Sequence, residues 1–156
     1  MATWLTRLAD LEKRVRYLEK LDSDVPTVRG TWTPVLADAT SGGNTASAST
    51  DVARYTRISD VVIANFVLSS INIAGMTGTN NLYLRGLPYT VSGQGYSSIY
   101  ASFLTFSGEL NVNPAGSTTY CFFISIASAS AQNVIKVNAI TSASCRIGGM
   151  LIYHTG

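Results

Sequence analysis

The sequence contains little charge, one histidine, two cysteines and no long apolar run. Only 13% of its 156 residues are charged, and the formal net charge of +2 is too balanced for a nucleic-acid-binding surface. The longest apolar runs, such as Val61–Ala64, are far too short to cross a bilayer, and charges interrupt Met1–Leu21 where a secretion signal would need an apolar stretch. We therefore expect one ordinary-sized domain with no nucleic-acid partner and no membrane partner, and not a multi-domain enzyme.

The sequence offers little material for catalysis or metal binding. His154 is third from the end, so a Ser-His-Asp or Cys-His site would be built on a chain end that tends to fray. The acids beyond residue 24 are scattered: Asp38, Asp51, Asp60 and Glu109. Two of them could converge as a glycosidase pair, which keeps a glycan depolymerase as an alternative. We expect no catalytic residue, no metal ligand and no cofactor, and therefore no enzyme.

Cys121 and Cys145 are too few for a disulfide framework or a metal cage. Both lie among apolar, strand-like residues, which favours buried free thiols. One disulfide between them is the alternative, because sequence does not fix the distance between their Cα atoms.

The charges that are present lie mainly at the N-terminus. Residues 1–24 hold ten of the twenty charges, five of each sign, and the next 132 residues hold the other ten. We therefore divide the chain into a stem (1–24), a linker (25–29) and a body (30–156).

The stem has the pattern of a coiled-coil helix. Residues 3–24 contain no Gly or Pro and are rich in Leu, Glu, Lys and Arg, which favour helix. Apolar residues follow a heptad seam, with Leu8 and Val15 at a and Trp4, Leu11 and Leu18 at d. In a parallel coiled coil, Arg7 and Arg14 at g can pair with Glu12 and Glu19 at e of the neighbouring chain.

Two consecutive heptads, Arg7–Glu12 and Arg14–Glu19, fit the pattern Arg-apolar-x-x-apolar-Glu. This resembles the trimerisation motif of short parallel coiled coils, and it predicts a parallel homotrimer. The predicted trimer interface comprises Trp4, Arg7, Leu8, Leu11, Glu12, Arg14, Val15, Leu18 and Glu19. The alternatives are an amphipathic helix packed on its own body and a membrane-surface helix. Because three heptads are marginal in water, we expect the body to trimerise as well.

From Val28 onward, short β-branched and aromatic runs alternate with clusters of Ser, Thr, Gly and Asn, which predicts an all-β body. The predicted strands are Gly30–Leu36, Asp51–Ile58, Val61–Ile73, Asn81–Arg85, Ser97–Phe106, Glu109–Val112, Thr118–Ala127, Asn133–Ala139 and Cys145–Tyr153. Some strands, such as Val61–Ile63 and Phe66–Leu68, are apolar on both faces, which indicates that one face is buried between subunits. The expected fold is mainly β: an antiparallel, jelly-roll-like β-sandwich with a short α-helical coiled-coil stem.

Tyrosines and arginines are the candidate binding residues of the body. Tyr89, Tyr96 and Tyr100 lie in or beside the Gly-rich stretch Val91–Ser98, which we interpret as a loop that displays them to a glycan or a partner. For any single one of these tyrosines, packing in the core or at an interface is the favoured interpretation. The arginines Arg54, Arg57, Arg85 and Arg146 either bond carbonyls and acids or contact an acidic glycan.

Three segments resemble a known family in their order along the chain. They are Gly30-Thr-Trp-Thr-Pro-Val-Leu36, Ala53-Arg-Tyr-Thr-Arg-Ile-Ser-Asp-Val-Val-Ile63 and Leu84-Arg-Gly-Leu-Pro-Tyr89, with a weaker similarity in Ile147-Gly-Gly-Met-Leu-Ile-Tyr153. Together they resemble the β-rich domains of tail fibres and other virion proteins of tailed bacteriophages. Ala53 and Ser59 stand where that family has glycine.

The resemblance implies a trimeric module on the virion surface, assembled in the host cytoplasm beside other virion proteins. The first hypothesis is a tail fibre or tip that binds a host surface glycan. The second is a capsid decoration or head-fibre protein seated on a three-fold site, which the short segment before the body favours.

Overall fold

The computed structural model describes residues 4–23 and 25–156, without the side chains of residues 5 and 21–23. Residues 1–3 and 24 of the predicted stem lie outside the described residues. The fold is mainly β, as expected, with one α-helix and two antiparallel sheets in the described part. The elements are α1 (Trp4–Ser23), β1 (Thr27–Thr31), β2 (Val35–Ala37), β3 (Ser47–Ile58), β4 (Val61–Asn72), β5 (Tyr83–Arg85), β6 (Val91–Ser102), β7 (Glu109–Pro114), β8 (Tyr120–Ile126), β9 (Asn133–Val134) and β10 (Cys145–Thr155).

The predicted helix is confirmed. It extends from Trp4 to Ser23, and Pro26 lies just beyond its end, where proline cannot continue a helix. The helix makes no extended contact with any strand in the described part of the chain.

The strands form two sheets around one core. One sheet has five strands in the order β1-β3-β4-β10-β6, and we call it the five-stranded sheet. The other has a path of four strands in the order β2-β5-β8-β7, with the two-residue strand β9 as a fifth, paired to β8; we call it the four-stranded sheet after that path. Inward-facing residues of both sheets form a single apolar cluster, for example Phe66 and Leu151 from the first sheet and Leu84 and Phe123 from the second. The strands are therefore held together by burial of one shared core.

The first predicted strand, Gly30–Leu36, is wrong as a single element. The chain leaves the five-stranded sheet after Thr31 and joins the four-stranded sheet at Val35. Trp32 and Pro34 are buried in the crossing, and Pro34 has no N–H to donate to a ladder. Gly30–Leu36 therefore connects the two layers.

The interpretation of residues 91–98 as a loop is also wrong. These residues lie inside β6, which pairs with β10 from Val91 to Ser102. A Cβ atom at Gly95 would lie 2.9 Å from the carbonyl oxygen of Ile152, so this glycine permits a close backbone approach. The strand ends at Ser102 rather than at Phe106, because Phe103 adopts a left-handed conformation with φ of 57°.

Only Asn133–Val134 of the predicted strand Asn133–Ala139 is a strand, and a 3₁₀ turn follows at Val137–Ala139. The apolar residues Ile135 and Val137 are buried, as in a strand, but the pairing of β9 with β8 ends at Val134. The prediction failed because it treated apolar character as a sign of strand pairing. Burial and strand pairing are separate properties here.

Candidate functional site

The heptad seam of the stem is exposed. Trp4 is 72% exposed, Leu11 56% and Leu18 62%, and Leu8 and Val15 are also exposed. A helix packed on its own body would bury such a stripe, so this alternative disagrees with the structure. The seam is an apolar surface without a partner in the described chain.

The charged residues beside the seam are also unpaired. Arg7, Glu12, Arg14 and Glu19 form no ion pair within the described part of the chain, whose two ion pairs both lie in the body. Each Arg stands five residues before its Glu, a spacing that does not place the two on one turn of the same helix. The charges are thus available to a second chain.

The segments that carry the family resemblance meet in one aromatic cluster. The Tyr55 ring covers Gly30, where a Cβ atom would lie 2.7 Å from Tyr55 Cε1. Tyr55 and Tyr89 meet edge to face with ring centroids 5.5 Å apart, and the Arg57 guanidinium lies 4.8 Å from the centre of the Tyr89 ring. The N–H of Tyr89 donates to the buried hydroxyl of Tyr153 at 3.4 Å.

The residues of this cluster have a structural role, because they pack against one another. Hydrogen bonding to Tyr89, with burial as a smaller cause, raises the pKa of Tyr55, and burial raises the pKa of Tyr153. Tyr89 is half-buried and packed against the core, which agrees with the packing interpretation rather than with display on a loop. Its role as a glycan or partner contact stays a prediction, and its ring is less exposed than that role requires.

Tyr96 and Tyr100 lie on a strand rather than on a loop. Both project from β6 on the face of the five-stranded sheet that points away from the core, and they are 78% and 50% exposed. The Tyr100 ring lies over Gly148 of β10, where a Cβ atom would be 2.6 Å from the tyrosine hydroxyl. The two rings therefore project from a strand that is paired with β10 along its length.

Three of the four acidic residues of the body, Asp38, Asp51 and Asp60, have separate partners. Asp60 contacts His154, with Oδ2 3.0 Å from Nδ1, and this hydrogen bond lowers the pKa of Asp60. Asp51 pairs with Arg146 at 3.5 Å and accepts from Ser69. Across residues 4–23 and 25–156, no three His, Cys, Asp or Glu side chains are grouped as a metal ion would require.

Three of the four body arginines have partners within the chain. Arg57 donates to the carbonyl of Ser59 at 2.7 Å, Arg85 donates to the carbonyl of Gly42 at 2.9 Å, and Arg146 pairs with Asp51. Arg54 is exposed, and its side chain forms no hydrogen bond or ion pair with the described residues.

Both cysteines are free and buried, which confirms the favoured expectation over a disulfide. Burial raises the pKa of both thiols, that of Cys145 to about 11. They are therefore protonated and inert at neutral pH.

A polar cleft of about 360 Å³ opens beside the four-stranded sheet, and sequence reasoning missed it. Lys136 donates to Asn81 at 2.5 Å, and Asn81 donates to the hydroxyl of Tyr83 at 3.3 Å. The buried carboxylate of Asp38 accepts from the N–H groups of Thr77 and Asn44. Because Asp38, Asn81 and Lys136 are far apart along the chain, no local pattern could have indicated this cleft.

No family model matches the chain, and no curated protein is significantly similar to it. Within residues 4–23 and 25–156, no helix has the length and apolar character that a bilayer span requires.

Proposed function

We propose that the protein is a non-enzymatic structural component of a bacteriophage virion, a homotrimeric surface appendage that binds a host surface glycan. The stem is a parallel three-stranded coiled coil, and the body is a jelly-roll-like sandwich. The observation that carries this proposal is the stem, because its heptad seam and its complementary charges both lack partners in the described chain.

Two further observations support the proposal. The three resembling segments form one structural cluster around Tyr55 and Tyr89, which gives their joint presence a physical reason. Tyr96 and Tyr100 present exposed rings from a paired strand, where either a sugar ring or a partner protein surface can contact them.

A charge-exchange experiment tests the trimer. Arg14→Glu or Glu19→Arg alone places like charges across the interface and is expected to raise the concentration at which the trimer dissociates several-fold, since exposed pairs contribute about 0.2–1 kcal/mol each. The double variant restores opposite charges and should recover most of the loss. Light-scattering mass at low concentration distinguishes a trimer of about 50 kDa from the 16.6 kDa chain. A wild-type mass of one chain would refute the proposal.

The second candidate is a capsid decoration protein on a three-fold site of the shell. The flat placement of Tyr96 and Tyr100 on β6 favours it, because a strand face suits packing against a protein surface better than a loop tip does. Trimer symmetry would also match such a site.

Copy number per virion decides between the two candidates. Quantitative mass spectrometry against the major capsid protein would give a few to a few tens of copies for a tail fibre and hundreds for a decoration protein. Loss of polysaccharide viscosity on addition of the purified protein would instead indicate a depolymerase.

A further inference from the structure

The five-stranded sheet carries apolar residues on the face that points away from the core. On its central strand, β4, Val62, Ala64, Phe66 and Leu68 are buried in the core. The alternate residues Val61, Ile63, Asn65 and Val67 point outward, and only Asn65 among them is polar. A sheet with one solvated face would carry mainly polar side chains at these outward positions.

The outward apolar residues continue onto both neighbouring strands. In the strand register, Ile58 lies beside Val61 and Val52 beside Val67 on β3, while Ile152 lies beside Ile63 on β10. Val52, Ile58 and Met150 are each at least 37% exposed. We name this surface the outer strip: Val52, Ile58, Val61, Ile63, Val67, Met150 and Ile152.

The margins of the same face are polar. Strand β1, at one edge, presents Thr27, Arg29 and Thr31, and strand β6, at the other, presents mainly serine, Gln94 and the two tyrosines. Arg54, Thr56 and Asn65 interrupt the centre of this face, which is therefore mainly rather than wholly apolar. A mainly apolar centre with a polar rim is typical of a subunit interface.

We propose that the outer strip is the surface through which three copies of the body pack around one axis, an inference that rests on the proposed trimeric function. Five strands spaced by about 4.8 Å make a sheet about 24 Å wide, and three such sheets around an axis leave about 7 Å between each sheet and the axis. Valine, isoleucine and methionine side chains fill a gap of this size. The middle of each sheet lies nearest the axis, and β4 is the middle strand.

The edges of the sheet complement each other in this arrangement. The β1 edge of one copy meets the β6 edge of the next around the axis. Arg29 and Arg54 on and beside the β1 edge have no acidic partner within the described chain, and Tyr96 and Tyr100 are exposed at the β6 edge. Guanidinium groups stack favourably on tyrosine rings, so the two edges attract each other.

The short connection to the stem brings the bodies to the same axis. Between Ser23 and Thr27 the chain extends at most about 14 Å. Helix axes 8–10 Å apart in a three-stranded bundle lie about 5–6 Å from its axis, so β1 starts within about 20 Å of it. The N–H of Ser59 donates to the carbonyl of Pro26 at 3.0 Å, which ties this start to the β3–β4 turn next to Ile58 and Val61.

Thiol cross-linking of the full-length protein tests the interface. Ile63→Cys and Val67→Cys each place a thiol in the outer strip, and Thr79→Cys places one at an exposed position in the polar cleft beside the four-stranded sheet, as a matched control. A short bismaleimide should convert most of each strip variant into covalent dimers on a denaturing gel and leave the control uncross-linked. The buried native thiols do not contribute.

The light-scattering mass of the same samples separates the two proposals. A trimeric mass with cross-links at both strip positions supports the inference. A trimeric mass without strip cross-links, or with equal cross-linking at the control position, overturns the interface and leaves the trimer intact. A monomeric or dimeric mass for the wild type overturns both. Using two strip positions ensures that misfolding of one variant does not decide the outcome.

Discussion

Ser59, in the turn between β3 and β4, has a backbone φ of 54°. This is the left-handed region, which strains any residue with a Cβ atom. Its backbone groups are fully used, because the N–H donates to Pro26 and the carbonyl accepts from Arg57. The turn therefore keeps the geometry of a glycine turn, although the sequence has serine.

Ser59→Gly is expected to stabilise the protein by about 0.5–1 kcal/mol, because relief of the strained φ outweighs the added flexibility of the unfolded chain. Thermal unfolding measures the change. Ser47→Gly, in the extended strand β3, is the control and should lower stability instead. Equal destabilisation by both changes would contradict the strain at Ser59.

Asp38 connects two loops that lie far apart in sequence. Its carboxylate accepts from the N–H groups of Asn44 and Thr77 and from the Asn44 side chain. The hydrogen bond from Thr77 is the main cause that lowers the pKa of Asp38. A lowered folded-state pKa adds stability above the unfolded value of about 3.9, and this stability disappears as the pH falls through the folded pKa.

We therefore expect Asp38→Asn to have a lower melting temperature than the wild type at pH 7, with the difference shrinking below about pH 4. Melting curves of both proteins between pH 7 and pH 2.5 would show this. A difference that is constant with pH would mean that the Asp38 charge contributes nothing to stability.

At the scale of the elements, the stem helix forms one part of a larger structure. Its local propensity explains why it is helical, and its exposed seam explains why it needs partners. A helix of this length gains most of its stability from packing, so changes in the seam should act on association.

Leu11→Ser with Leu18→Ser is expected to shift the protein from trimer toward smaller species at low concentration, because both residues occupy d positions of the seam. Lys13→Ser, at the outward f position, is the matched control and should leave the mass unchanged. Light-scattering mass across a dilution series measures the shift. An unchanged trimer in the double variant would assign the helix another role.

The strands differ in how well the local sequence pattern predicts their bounds. The bounds of β4 and β8 lie within two residues of the predicted strands Val61–Ile73 and Thr118–Ala127. Strand β6 was misplaced, because its Gly and Ser residues resemble a turn until β10 supplies a partner. A ladder with a distant strand overrides local propensity there.

The whole molecule combines a charge-dense helix with a weakly charged body that has an apolar outer strip. If both parts associate around one axis, folding and assembly are linked, and stability depends on protein concentration.

The melting temperature is therefore expected to rise with protein concentration over a hundredfold range, as mass action requires for a trimer. Differential scanning fluorimetry at several concentrations would measure this. A melting temperature independent of concentration would indicate that the body unfolds as a single chain. The Ile63→Arg variant should also weaken the dependence, since it places a charge in the outer strip.

The sequence by itself determined the helix, the mainly β body and the apolar outward face of β4. Each of these depends on periodicity within a single segment, which is a local property of the backbone. Tertiary structure decided which residues meet. Gly30, Tyr55, Tyr89 and Tyr153 are distributed over the chain, and they form one cluster because the sheet brings β1, β3 and β10 into register. Tyr96 and Tyr100, which were expected in a loop, lie on the edge strand β6 of the five-stranded sheet. Pairing with the distant strand β10 places them there.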